Sequence, residues 1–324
     1  MRKNKVRFFI GLIIAFTILA TSIVGGYFVI DRTLVPEYFG KYGINNLSEL
    51  VNVVQTIYVV PDEKDFITNP FTEHDKINAI SKLETAGFPT LKNGNIDYDA
   101  VAKNEYSLSP NEDFVDNFVI LTDKEIATIV ADIIDSGMLA TDYPGLDAID
   151  TLNIELKQII VTPKEDSLIP NEKITDPDLD PRSAEKNILS TTTDANIKLT
   201  MMLDTVSARQ QISTNLNMPK FLVDWIIPDY LYVTCQIDTH KNEHGERVYE
   251  NSNIAINSKT AKQSEILLNL LISFIFPDNT YTIESFSNEL GSLAIDGINM
   301  LGKMDFAIIK TGLGNQTGVK LSIS

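Results

Sequence analysis

The chain has 324 residues, 27 lysines and arginines against 44 aspartates and glutamates, a net charge of −17 and a hydrophobic share of 44%. That apolar share supports a sizeable core and excludes wholesale disorder. The acidic balance repels nucleic acid, so a nucleic-acid partner is excluded; its ordinary meaning is solubility, and its sharper meaning a cation-binding surface.

Arg2, Lys3, Lys5 and Arg7 are the only charges before Asp31. Phe8 to Ile30 then runs 23 residues without a charge. As a helix that stretch reaches roughly 35 Å, enough to cross the hydrocarbon of a bilayer. The basic end stays in the cytoplasm, which predicts a single-pass cell-membrane protein with a transmembrane helix from Phe8 to Ile30 and its C-terminal bulk outside the cytoplasm. A cleaved signal peptide competes, with Ala20-Thr21-Ser22 as a small-residue site, but the apolar run continues past it. Without the four basic residues the rest of the chain carries −21. The single cysteine, Cys235, cannot form an intramolecular disulfide and is not placed for lipid attachment.

After the anchor, 1–30, residues 31–45 read as a stalk. A helix is predicted over about 46–59, with Leu47, Leu50, Val51, Val54, Ile57 and Tyr58 on one face and Pro61 as its stop. A second is predicted over about 73–86, between an N-cap at Thr72 and Gly87. Lys92-Asn93-Gly94-Asn95 reads as a tight turn between Phe88–Leu91 and Ile96–Tyr98. Residues 99–118 are polar and irregular, so 31–118 forms a stalk and small helical region, and 119–324 an α+β ectodomain.

Thr122-Asp123-Lys124-Glu125 is a capping box, followed by Ile126, Ile129, Val130, Ile133 and Ile134 at helical spacing, with Gly137 as the stop. Leu152, Ile154 and Leu156 alternate as a strand towards Val161. Residues 163–194, with Pro163, Pro170, Pro177 and Pro181 among many acids, read as a long exposed loop. Ile197, Leu199, Met201 and Leu203 mark a second strand. A part-helical crossover over 208–228 ends at Pro228. The third strand turns Leu231, Val233, Cys235 and Ile237 inward. A hairpin tip at Lys241–Glu246 leads to a returning strand ending in Ile254 and Ile256. A second capping box, Thr260-Ala261-Lys262-Gln263, opens a helix to Phe276. Another, about 282–302, carries Ile283, Phe286, Leu290, Leu293, Ile298 and Leu301 in one stripe. Phe306–Ile309 and Val319–Ile323 close as short strands. This order predicts an α+β fold with helices packed on a mostly antiparallel sheet.

Chemistry-bearing patterns are few. His240 and His244, with Glu243 and Glu246, have the i,i+4 spacing of a helical metal site but fall in a hairpin loop, which loses the shared face. Asp176, Asp178 and Asp180 begin like a calcium loop, but Pro181 stands where such a loop needs glycine and Asn187 where it needs a bidentate glutamate. Gly312, Gly314 and Gly318 lack the following helix that a phosphate site requires. There is no Gly-x-Ser-x-Gly, paired-cysteine or His-Glu-x-x-His motif, and only three histidines. The expectation is a protein without catalytic residues, metal or cofactor. A carboxylate-based glycosidase is the enzymatic alternative, since two acids leave no sequence signature.

The most apolar outer segment is Ile266–Phe276, interrupted only by Asn269 and Ser273. A helix apolar nearly all round is buried on more than one side. It is a central core helix, or it packs on the sheet with one side and lines an apolar cavity with another. Phe221-Leu222-Val223-Asp224-Trp225-Ile226-Ile227 is similar: core, or a lip of Phe221, Leu222 and Trp225 touching lipid.

A helix opening Leu121-Thr122-Asp123-Lys124-Glu125, two long strands, Pro228-Asp229-Tyr230-Leu231-Tyr232-Val233-Thr234, a strand ending Ile254-Ala255-Ile256-Asn257 and long apolar helices together resemble small bacterial members of the tubular lipid-binding (TULIP) superfamily. The resemblance covers about residues 120–324. It implies membrane tethering and a curved antiparallel sheet wrapped against long helices, with a gap that holds acyl chains. The groove would be lined by Leu231, Val233, Ile237, Ile254, Ile256, Leu267, Leu270, Leu271, Phe274, Ile298 and Leu301. The function expected is a membrane-tethered extracytoplasmic protein that binds or shields an apolar ligand, a lipid, without chemistry. The alternative is an extracytoplasmic scaffold or interaction module with a filled core, whose partner is an envelope protein or polymer.

Overall fold

The computed structural model describes residues 25–40, 44–51, 63–103, 107–136, 154–215, 219–226, 228–244, 247–257, 259–260, 291–292, 295, 301–312 and 314–322. Within them the helices include α1 (Val35–Phe39), α2 (Glu63–Phe66), α3 (Glu73–Thr85), α4 (Tyr98–Ala102), α5 (Asp123–Asp135), α6 (Val206–Asn215) and α7 (Lys220–Ile226), and residues 25–29 and 47–51 are helical as well. The strands are β1 (Phe118–Thr122), β2 (Ile154–Pro163), β3 (Ile169–Pro170), β4 (Ile188–Thr192), β5 (Ala195–Asp204), β6 (Tyr230–Lys241), β7 (Arg247–Ile256), β8 (Lys259–Thr260), β9 (Lys303–Thr311) and β10 (Gly314–Ser322). The chain is α+β and its strand pairing antiparallel, but the strands form two five-stranded sheets. The first has the order β1-β10-β9-β4-β3, the second β2-β5-β6-β7-β8.

Helix starts follow the sequence closely. Glu125 N–H donates to the Thr122 hydroxyl at 3.3 Å and Thr122 N–H to the Glu125 carboxylate at 2.8 Å, so both halves of the capping box form. Thr72 and Asp75 form a second such box at the start of α3. Gly87, just past α3, has φ +92, and a Cβ there would lie 2.7 Å from Ser109 N, so this stop needs glycine for both conformation and space.

The second sheet carries the main apolar face. Its register lines up Ile154, Leu203 and Leu231; then Leu156, Met201, Val233 and Ile256; then Ile159, Leu199, Cys235 and Ile254; then Val161, Ile197 and Ile237. A bulge between Leu156 and Gln158 shifts the alternation of β2 by one residue, which keeps Ile159 and Val161 on the core side. Helix α5 lays Ile126, Ile129, Val130 and Ile133 into this core, joined by Val119, Leu121, Phe306, Val319 and Leu321 of the first sheet.

The bulge leaves Gln158 facing the back of the sheet, fully buried. Its amide nitrogen donates to Phe66 O at 2.6 Å and Thr200 Oγ1 at 3.0 Å, and its oxygen accepts from Thr68 N and Asn69 N, both at 3.0 Å. Phe66 stacks on Tyr232 with ring centroids 5.0 Å apart. Tyr232, on the strand face opposite Leu231 and Val233, is therefore covered by the 63–69 segment.

Several expectations change. The stalk is helical through residue 40, and Val35, Phe39, Ile44 and Leu50 belong to the same core as α5. Of the expected 46–59 helix residues 46–51 are described, and 47–51 are helical. Ile96 makes a single bridge to Thr90 rather than a strand, because Asp97 caps α4 by accepting from Ala100 N. Phe118–Thr122 is a strand, where an irregular segment was expected up to 118. The acidic 163–194 segment is not a free loop: it ends in β4, and Asn171 Nδ2 donates to Glu185 O and Ile188 O at 2.9 and 3.0 Å. Thr260 closes β8 against Ala255, and the helix expected beyond it lies outside the described residues. Gly312 follows β9 and Gly314 opens β10 at their hairpin turn, whereas Gly318 lies within β10 opposite Ala307.

Candidate functional site

The proposed groove residues split into two groups. Leu231, Val233 and Ile237 on β6, Ile254 and Ile256 on β7, and Leu301 are buried in one cluster. Leu267, Leu270, Leu271, Phe274 and Ile298 lie outside the described residues. Leu231 and Val233 have 0% exposure, which leaves no water-sized space against them. A Cβ on Gly291 would meet Ile237 Cδ1 at 3.2 Å, so backbone from the C-terminal helical region rests on the β6 face there. At the lip, Phe221 is 69% exposed on α7, whereas Val223 is buried. Leu222 and Trp225 share that helix, and their side chains lie outside the description. Of the anchor, Phe8 lies outside the described residues and Ile30 opens a π-helical turn, Ile30–Leu34. Among the described residues no helix is long and apolar enough to cross a membrane.

Among the described residues two open clefts occur elsewhere, and none of the groove residues lines either. The first, about 460 Å³, lies over the outer face of the first sheet beside α3. Its floor is Phe118, Ile120 and Ile309, part of a second apolar cluster with Ile188 and Ala307. Its rim carries Lys82, Arg182 and Lys310 with Asp113 and Asp116. Lys82 Nζ is fixed by the Glu125 carboxylate at 2.6 and 2.8 Å and by Ile120 O at 3.2 Å. Arg182 holds Asp180 in a two-point pair and donates to Glu112 O at 2.9 Å, which keeps the Asp180 carboxyl low, at about 2. Asp116 accepts from the Ser183 hydroxyl and from Ala184 N. These contacts zip 112–116 to 180–184 and hold the rim in place.

The second cleft, about 450 Å³, is acidic: Glu63, Glu73, Asp132, Asp135 and Glu155 against Lys76 and Lys157. Lys76 pairs with Asp132 at 2.8 Å and Lys157 with Glu155. Burial, then Asp132 and Glu155, raise the Asp135 carboxyl above its usual range. Asp178 N and Arg182 N bond back to Asp176 and Asp180, so the calcium-like triplet is a pair of local turns. His240 sits on β6 and His244 in the turn, whose N–H donates to Asn242 Oδ1 at 2.9 Å. Glu243 is exposed beside it and Glu246 lies outside the described residues. Among the described residues no group of three or more His, Cys, Asp or Glu side chains is placed to hold a metal.

Asp123 is the most perturbed carboxyl near neutrality. Burial pushes it up to about 6, against the opposing pull of Val161 N–H and the Thr317 hydroxyl. It lines neither of these clefts and sits at the join between α5, β2 and β10, bonded to Val161 N and the Thr317 hydroxyl. Sequence reading missed it because a capping box explains its neighbours Thr122 and Glu125 completely.

The fold and site define a two-sheet α+β body with an apolar-floored cleft on one outer face. Comparison with protein families, curated proteins and solved structures found no match to this chain.

Proposed function

We propose that this chain is a membrane-tethered, extracytoplasmic interaction module with a filled core, which recognises an envelope protein without catalysis. The observation that carries this is the packing at the expected groove: Leu231 and Val233 are wholly enclosed and Ile237 is met by Gly291. A body whose inner face is filled presents partners with its outer faces. The cleft over Phe118, Ile120 and Ile309 supplies an apolar floor with cations at its rim, within the size range of binding pockets. The tether is the uncharged run from Phe8 to Ile30 behind four basic residues.

Lipid binding is the second reading. Phe221, 69% exposed on a helix whose Val223 joins the main core, favours it, as does the resemblance to TULIP proteins, in which a curved sheet wraps long helices around acyl chains. Mass spectrometry of organic extracts from the purified ectodomain separates the two. Stoichiometric lipid would sink the filled-core reading. Its absence, with a photo-crosslinker at Lys310 giving a discrete adduct in cells that Ala184→Trp abolishes, supports the interaction module.

A further inference from the structure

The helical segment at the start of the described chain carries an unusual surface. Tyr27, Phe28, Val29 and Ile30 are 41–58% exposed, and so is Leu34 at 41%. Four consecutive residues at about 100° each sweep roughly 300° of a helix. A groove on a partner protein covers one side; only a medium that surrounds the helix covers all of these. Hydrocarbon does.

Immediately beyond, the surroundings reverse. Val35 is 2% exposed and, with Phe39, belongs to the main core. The backbone stays helical from 25 to 40, through the π turn Ile30–Leu34. Pro36 accounts for that turn: its ring cannot donate a hydrogen bond and would crowd the carbonyl of Arg32, and one wider turn relieves both. From Ile30, the last residue of the uncharged run, to the first core residue, Val35, the rise is about 7.5 Å. Asp31 bridges the change. Its side chain is largely enclosed and accepts from Leu47 N at 2.7 Å, at the start of the helical stretch 47–51. Arg32 instead stays exposed, with its guanidinium 5.7 Å from the Phe28 ring centroid, the posture of a cation at a headgroup layer.

We infer that the folded body sits directly on the bilayer, with the headgroup layer at Arg32–Leu34, and that the Asp31–Leu47 clasp sets its tilt. The partner surface is therefore lipid headgroup, met by the body around residues 46–48. This rests on the tether reading above.

The test uses the full chain in phosphatidylcholine vesicles, with a fluorophore at Phe28→Cys, Thr33→Cys or Ser48→Cys; Cys235 is buried. Phe28→Cys should be quenched by acyl-chain nitroxide lipid, and both Thr33→Cys and Ser48→Cys by headgroup nitroxide lipid. Adding Asp31→Ala should reduce quenching at Ser48 but not at Phe28, while Asp31→Asn, which keeps the acceptor, should preserve it. Quenching at Thr33 with none at Ser48 overturns the seating and leaves the tether intact. Retained Ser48 quenching in Asp31→Ala removes the clasp from the inference. No acyl-chain quenching at Phe28 overturns the tether itself, and the seating with it.

Discussion

The Asp123 carboxylate, at the first position of α5, accepts from the hydroxyl of Thr317 on β10 at 2.9 and 3.0 Å, across 194 residues of sequence. Its second partner, Val161 N at 3.2 Å, belongs to the other sheet. One buried acid thus joins both sheets and the core helix.

This acid has a pH signature. Its proton is held more tightly in the folded state, at about 6 against 3.8 when unfolded. Its contribution is therefore most favourable below the unfolded value and is lost as pH rises through about 6. The loss is at most about 3 kcal/mol, at 1.36 kcal/mol per unit. Asp123→Asn should gain stability relative to the parent as pH goes from about 4 to 7. Denaturant melts across that range check it, and parallel pH profiles for the two proteins would discard the idea.

Gln158 should behave as a clamp. Replacing it with Leu leaves Thr68 N, Asn69 N and Phe66 O without their partner, at about 1–3 kcal/mol for each group that stays buried. The expected result is a loss of several kcal/mol with earlier proteolysis within 63–72. Loss of global stability without early cleavage there would show that the clamp does not hold that segment.

Sequence periodicity located this sheet but not its clamp. The β5 and β6 alternation is read correctly from Ile197 to Leu203 and from Leu231 to Ile237, because each strand keeps an unbroken period of two. Gln158 is invisible to that rule, since the bulge beside it breaks the period. Phe118–Thr122 was missed as an edge strand because five residues before a capping box give too short a signal. The cleft on the outer face depends on Asp116 and Arg182 meeting distant partners, which no local pattern records. Leu231, Val233, Ile237, Ile254 and Ile256 were legible as inward residues, but whether inward positions enclose space or one another depends on the opposing surface, and for that strand spacing carries no information.

Packing at the β6 face gives a third expectation. Leu231→Ala should cost about 2–5 kcal/mol, and Val233→Trp should destabilise by overpacking. Neither should alter binding of a fluorescent fatty acid, because the parent is expected to bind none. A parent that binds the probe, together with a tolerated Trp at 233, reverses the assignment in favour of lipid.

For the cleft, Ala184→Trp should fill the space over Phe118 and Ile120 with a change in stability within about 1 kcal/mol, as usual for a partly exposed position. Thermal melts check the fold, and loss of the Lys310 crosslink checks the site. An unchanged crosslink with an intact fold would place the partner elsewhere.

The pairing of β1 with β10 joins Phe118 to Ser322 and Thr122 to Gly318. On the ribosome, the earlier strand is made roughly 200 residues before its neighbour, a delay of about 10–40 s at ordinary synthesis rates. Throughout that interval Val119 and Leu121 lack the partner strand that later covers one edge. Closure of so long a loop comes late and slowly. The nascent chain therefore passes through a sticky intermediate, and a holding chaperone that shields this edge should raise the yield of folded protein more than faster synthesis would.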